Sequence, residues 1–157
     1  MDYFQGVVTE YLRASRQTFV NPEFQLQLDG PSHAPPKGAH WYVDLLAVNL
    51  EERAVYLCEV SYSQSLGQLV KRLTAWDSNW GKIGKALQRD AATGCDWPVR
   101  PWIFVHERAL DKLIPRLLPL QVPPKITTLE MTLPWCYCSY DRKGEAVKPD
   151  VIPEPMR

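Results

Sequence analysis

Apolar residues recur along the chain with two different periods, and the switches between them divide it into elements. From Asp2 to about Ser15, the residues Phe4, Val7, Val8, Tyr11 and Leu12 fall at helical spacing, with Asp2 placed to cap the start. Glu23 to Leu28 alternates instead, setting Phe24, Leu26 and Leu28 on one side of a strand. Pro31, Pro35, Pro36 and Gly38 then mark a loop. Two β-like runs follow, Trp41 to Asn49 and Ala54 to Tyr62. The short polar stretch Leu50 to Arg53 between them predicts an antiparallel hairpin.

The period changes again at Gln64. Leu66, Leu69, Leu73, Trp76, Trp80, Ile83 and Leu87 recur at three- and four-residue steps as far as Arg89, which predicts a long amphipathic helix. Gly67, Gly81 and Gly84 weaken it, with a break expected between Ser78 and Gly81. Trp102 to His106 reads as a short strand, Ala109 to Leu118 as a helix broken by Pro115, and Ile126 to Leu133 as a last strand. Pro149, Pro153 and Pro155 make the tail an extended or disordered segment. The expected fold is α/β, a central mixed sheet with an antiparallel hairpin and flanking helices. One domain spans residues 1–144 and the Pro-rich tail 145–157.

Composition adds mainly exclusions. A 45% hydrophobic and 23% charged chain of 157 residues is ordinary for one globular domain. Its longest apolar run, Val43 to Val48, is interrupted by Asp44 and far too short to span a bilayer. The N-terminus lacks the basic start and cleavage site of a signal peptide, so a cytoplasmic location is expected. With 18 basic and 18 acidic residues the net charge is zero, and nucleic acid could be held only by a local basic patch. Cys58, Cys95, Cys136 and Cys138 lack the paired spacing of a zinc site, which favours reduced structural thiols. Were Cys136 and Cys138 on a strand, both would point to one face. His33, His40 and His106 show no ligand spacing with one another.

The candidate chemistry lies in the hairpin. Asp44 and Glu59 are carboxylates embedded in apolar β-runs, where an unpaired charge costs several kcal/mol or shifts its pKa. On adjacent antiparallel strands they can converge, within about 4–6 Å, on one divalent cation. At these residues the sequence resembles the PD-(D/E)xK superfamily of phosphodiesterases, in which a helix precedes a β-hairpin, one strand carries Asp, the next carries Glu-x-Lys, and a helix follows. The resemblance covers roughly the first two-thirds of the chain and implies a restriction-endonuclease-like fold. It also implies Mg²⁺ or Mn²⁺ at Asp44 and Glu59, and DNA as substrate.

One position departs from that pattern. The family lysine would fall at Ser61, which carries no charge. Gln68 resembles the helical glutamine of the exonuclease-type branch, and Ser61 and Gln68 are expected to line the site. Family members with a basic residue relocated to the following helix exist, but Lys71 lies nearly opposite the Leu66, Leu69, Leu73 and Trp80 face. Lys71, Lys82, Lys85 and Arg89 form a stripe on the polar side of the helix that could track phosphates, or be an ordinary solvated face. Glu10, off the apolar face of its helix, is expected to be exposed. The competing structural roles are a pairing of Asp44 with an Arg or His40 and a cross-strand salt bridge for Glu59. The competing function is an inactive descendant of the fold, serving as a protein-interaction or nucleic-acid-binding subunit.

Overall fold

The computed structural model describes residues 2–30, 40–91, 96–136, 139–140 and 146–147. The loop residues Pro31 to Gly38, His33, Cys95, Cys138 and most of the tail lie outside them. Helix α1 (Tyr3–Arg13) opens with a capping box: the Asp2 carboxylate accepts from the Gln5 amide, and the Gln5 side chain accepts from the Asp2 amide. Strands β1 (Thr18–Gln27), β2 (His40–Asn49) and β3 (Ala54–Ser61) follow. Helices α2 (Gly67–Asp77) and α3 (Trp80–Asp90) connect β3 to β4 (Val99–Val105), and α4 (Leu110–Leu117) connects β4 to β5 (Lys125–Thr128).

The sheet order is β1-β2-β3-β4-β5, antiparallel between β1, β2 and β3 and parallel from β3 to β5. Tight connections suffice for the antiparallel pairs, whereas the parallel pairs need the helical crossovers that α2–α3 and α4 supply. This is the mixed sheet with flanking helices that the periodicity implies. Two apolar layers sandwich it. Leu69, Leu73, Trp76, Ile83, Leu87 and Leu113 cover one face with Leu57 and Ile103, while Val8 and Leu12 cover the other with Cys58 and Phe104. Glu59 follows the alternation of β3 onto the α2 face, between Leu57 and Ser61.

The break expected between Ser78 and Gly81 is present, while several other boundaries moved. The long helix divides at Asn79, whose amide donates to the Trp76 carbonyl and whose own carbonyl receives Lys82 and Ile83. β1 begins five residues earlier than the alternation at Glu23 to Leu28 implies, because pairing with all of β2 extends it. Pro115 does not break α4: the stripe Leu110, Leu113 and Leu117 is buried across it and offsets the lost backbone bond. The last strand ends at Thr128, whose hydroxyl accepts from the Met131 amide and starts a 3-10 turn over Leu129–Thr132. Cys136 closes a further 3-10 turn, so it is not on a strand, and Cys58 and Cys136 are free thiols. Beyond it β6 (Ser139–Tyr140) pairs antiparallel with β7 (Ala146–Val147), the latter already within the Pro-rich tail.

One irregularity positions the site. The β1–β2 register is constant from Phe24 opposite Val43 to Pro22 opposite Leu45, with Glu23 and Asp44 omitted from the pairing between them. Glu23 adopts a left-handed φ of 53°. Across this double bulge both strands change face. Phe24, Leu26, Trp41 and Val43 pack with α2–α4, whereas Val20, Leu45 and Ala47 pack with α1. Asp44 is thereby released from both apolar layers.

Candidate metal and nucleic-acid site

The hydrogen-bonded ladder between β2 and β3 ends at Leu45 opposite Cys58. Asp44 and Glu59, next on each strand, stand in the fork that opens there. The Asp44 side chain fills the place of the missing ladder bond: its Oδ2 accepts from the Val60 amide at 2.8 Å. Its Oδ1 accepts from Gln5 Nε2 at 2.9 Å, so α1 holds it from one face of the sheet. Glu59 is held from the other. Both of its oxygens accept from one guanidinium nitrogen of Arg72 on α2, at 2.8 and 2.6 Å. Arg72 also reaches the Tyr42 carbonyl at 3.4 Å, spanning the fork from β3 to β2.

The two acids were expected side by side on one face. They are the next residues on each strand past the last ladder pair, with Asp44 bonded to α1 and Glu59 to α2, helices on opposite layers of the sheet. They still sense each other. Burial pushes the Glu59 pKa up to about 8, reinforced by the Asp44 charge and opposed by Arg72. Burial also raises Asp44, against the lowering effects of the Val60 amide, Arg72 and Gln5. Neither His40 nor a cross-strand cation fills the roles weighed for these acids: Asp44 takes Gln5 and Val60, and Glu59 takes a helical arginine.

Donor chemistry decides whether these residues suit a divalent cation. Two carboxylates face one guanidinium, and each Asp44 oxygen keeps a lone pair beyond its one N–H bond. Among the described residues no group of three or more His, Cys, Asp or Glu side chains is placed to hold an ion. Magnesium and manganese suit this set, because such ions need only one or two protein carboxylates and take the rest from water and phosphate oxygen. By donor type the two carboxylates suit the ion that the family resemblance implies, with Asp44 the one that keeps a lone pair open on each oxygen while both Glu59 oxygens rest on Arg72.

Of the remaining candidates, Ser61 ends β3 opposite Val105, two residues beyond Glu59 on the same face. Gln68 is exposed in the first turn of α2. Lys71 is exposed on the same helix, away from its buried Leu69, Leu73 and Trp76. The break at Asn79 places Lys71 on a different helix from Lys82, Lys85 and Arg89. Lys82 and Lys85 are exposed, but Arg89 is engaged by the protein: it donates to the carbonyls of Gly30 and Gln27 at 2.6 and 2.7 Å and pairs with Asp90. Replacing Lys82 and Lys85 together with Glu should leave Tm within about 2 °C of the parent. Arg89→Glu should lower stability by about 1–2 kcal/mol, because the Gln27 carbonyl at the end of β1 and the Gly30 carbonyl just beyond it lose charged donors. Thermal denaturation of the two variants side by side checks this, and equal shifts would return Arg89 to the solvated stripe. Glu10 is exposed and pairs with Arg13, and His106 bonds Glu130 at 3.0 Å.

Gln5 and Arg72 are site residues that the sequence reading missed. Each carried a signal. Gln5 precedes Val8 by three and Leu12 by seven residues, and Arg72 lies three after Leu69 and four before Trp76. Both are long polar side chains on the buried stripe of a helix, where an unpaired polar group is costly. No protein-family model, curated protein or solved structure matches the chain.

Proposed function

We propose that the chain is a cytoplasmic, metal-dependent nuclease-fold domain of the PD-(D/E)xK type that acts on DNA phosphodiesters. In this reading Asp44 and Glu59 hold Mg²⁺ or Mn²⁺, and Arg72 takes the place of the motif lysine that Ser61 lacks. The observation that carries it is the charge balance of the fork: buried Glu59 and half-buried Asp44 have one guanidinium near them, bonded to Glu59 alone, and Glu59 is pushed up to about 8 despite that partner. The element order α1-β1-β2-β3-α2 with the two acids on β2 and β3 supports it as well.

Gln5 fixes the rotamer of Asp44, and the Val60 amide holds the second oxygen in line. Arg72 keeps Glu59 ionisable, and with its side chain 38% exposed its remaining guanidinium donors are within reach of a ligand. There they can bond a phosphoryl oxygen as negative charge develops on it. A bound divalent ion would polarise that oxygen and acidify its own water. Ser61 and Gln68 line the approach without carrying charge.

The rival reading, a nuclease-fold protein that binds without cleaving, is favoured by one observation: both Glu59 oxygens already rest on Arg72. Titration with Mn²⁺ at pH 7 in weak buffer separates the two. If the fork takes the ion, proton uptake by buffer should accompany binding and approach roughly one proton per ion, since Glu59 must ionise. Plasmid DNA should then be nicked in Mn²⁺, more strongly by Ser61→Lys, and the gain should vanish on adding Asp44→Ala. Ion binding without nicking selects the rival, and no ion binding by folded protein overturns the cation site.

A further inference from the structure

Large apolar side chains left in water are costly, and three such tyrosines belong to the segments that form the fork: Tyr3 on α1, Tyr42 on β2 and Tyr62 just after β3, 75%, 57% and 52% exposed. Tyr62 follows Ser61 at the end of β3. Its ring stacks on Phe4 with centroids 5.0 Å apart and planes 26° apart. Tyr3 and His106 meet the same Phe4 edge-on at 5.4 and 5.8 Å. Phe4 is the neighbour of Gln5, so one turn of α1 supplies both the clasp on Asp44 and the backing for Tyr62. Tyr42 lies two residues before Asp44, with its carbonyl held by Arg72.

This arrangement is a ring fixed by a second ring behind it, with about half of the residue in water. A nucleobase is the planar group that such a surface suits, and a base offers its face only when it is unpaired. The charge distribution points the same way. A neutral chain has little general attraction for the dense phosphates of a duplex, while a single strand needs only a few cations beside its stacked bases. Arg72 bridges Glu59 and the Tyr42 carbonyl across the fork with its side chain 38% exposed, and Arg116 on α4 reaches the Ser65 carbonyl at 3.4 Å, in the loop that leaves Tyr62.

We infer that the rim of the fork is a stacking platform for unpaired nucleobases, with Tyr62 backed by Phe4 as its principal seat, so that the ligand is single-stranded nucleic acid. This rests on the nucleic-acid reading of the fork, but it requires no cleavage. Binding is therefore measured in EDTA, by anisotropy of fluorescein-labelled oligo-dT, oligo-rU and a hairpin duplex. The single strands should bind at least about tenfold more tightly than the duplex, and Tyr62→Ala should weaken them roughly 5- to 100-fold while Tyr62→Phe keeps the affinity. Tyr62→Leu, which still covers Phe4 but has no aromatic face, should behave like Tyr62→Ala and excludes a mere folding defect. Preference between oligo-dT and oligo-rU identifies the sugar. Equal binding of duplex, no binding, or indifference to Tyr62→Leu overturns the inference. So does self-association that Tyr62→Ala abolishes, since the rim would then be a contact between copies. Stacking that survives a failure to nick DNA in Mn²⁺ leaves the inference standing and removes only the catalytic reading.

Discussion

Replacing Glu59 with Gln should flatten the dependence of stability on pH and make the protein more stable than the parent above pH 8. The folded-state pKa of Glu59 is raised to about 8, whereas a carboxyl in an unfolded chain titrates near 4.3. The folded protein thus holds this proton more tightly than the unfolded chain. The resulting stability is full below about pH 4.3 and is lost as pH rises toward 8, the reverse of an ordinary salt-bridged acid. Asp44, also raised, adds a contribution of the same sign. Across that window the parent should lose up to about 5 kcal/mol, which Glu59→Gln, neutral at every pH, does not lose. Urea denaturation from pH 5 to 9 measures it. Parallel profiles for parent and variant would mean that Glu59 is ionised without penalty and that Arg72 alone balances it.

Arg72→Ala should have the opposite effect, and a large one. The guanidinium is the cation facing Glu59 and also acts on Asp44, so its removal leaves two carboxylates in a fork where Glu59 is 7% exposed. Breaking a buried pair typically costs about 3–5 kcal/mol; the partial exposure of Arg72 admits water and screening, so about 2–3 kcal/mol is expected at pH 8. The deficit should shrink at pH 5, where protons replace the missing cation, and in the double variant with Glu59→Gln. If Mn²⁺-dependent nicking exists, Arg72→Ala should reduce it roughly 10²–10³-fold, the cost of losing one charge-stabilising donor. A loss of nicking at unchanged stability would make Arg72 a phosphate contact only. A loss of stability at unchanged nicking would make it a structural partner of Glu59.

The sequence located the carboxylates because their signal is local. An acid inside an apolar β-run is conspicuous at Asp44 and at Glu59 without knowledge of any distant residue. Arg72 and Gln5 are equally well placed on their helices, but a helix tolerates a long polar side chain at the edge of its stripe for many reasons. Their partners lie 13 and 39 residues away, and only the packing of α2 and α1 on opposite faces of the sheet identifies them. Lys71 illustrates the same limit from the other side: helical phase puts it in solvent, while the guanidinium that faces Glu59 belongs to the next residue, Arg72.

Element order, the antiparallel hairpin and the mixed α/β class follow from apolar periodicity and short polar connections, which act over a few residues and survive in any tertiary context. The break near Asn79 was legible for the same reason. What only the tertiary structure decided are the features that depend on which surfaces meet. Pro115 stays inside α4 because Leu110, Leu113 and Leu117 are buried across it. The alternation of β2 is reset at Asp44 because β1 bulges with it at Glu23. Arg89 turns from the solvated stripe because Gln27 at the end of β1 and Gly30 just beyond it offer their carbonyls. The two acids share a fork rather than a face because the β2–β3 ladder ends at Leu45, where the Asp44 side chain takes the next strand's amide in place of a backbone carbonyl.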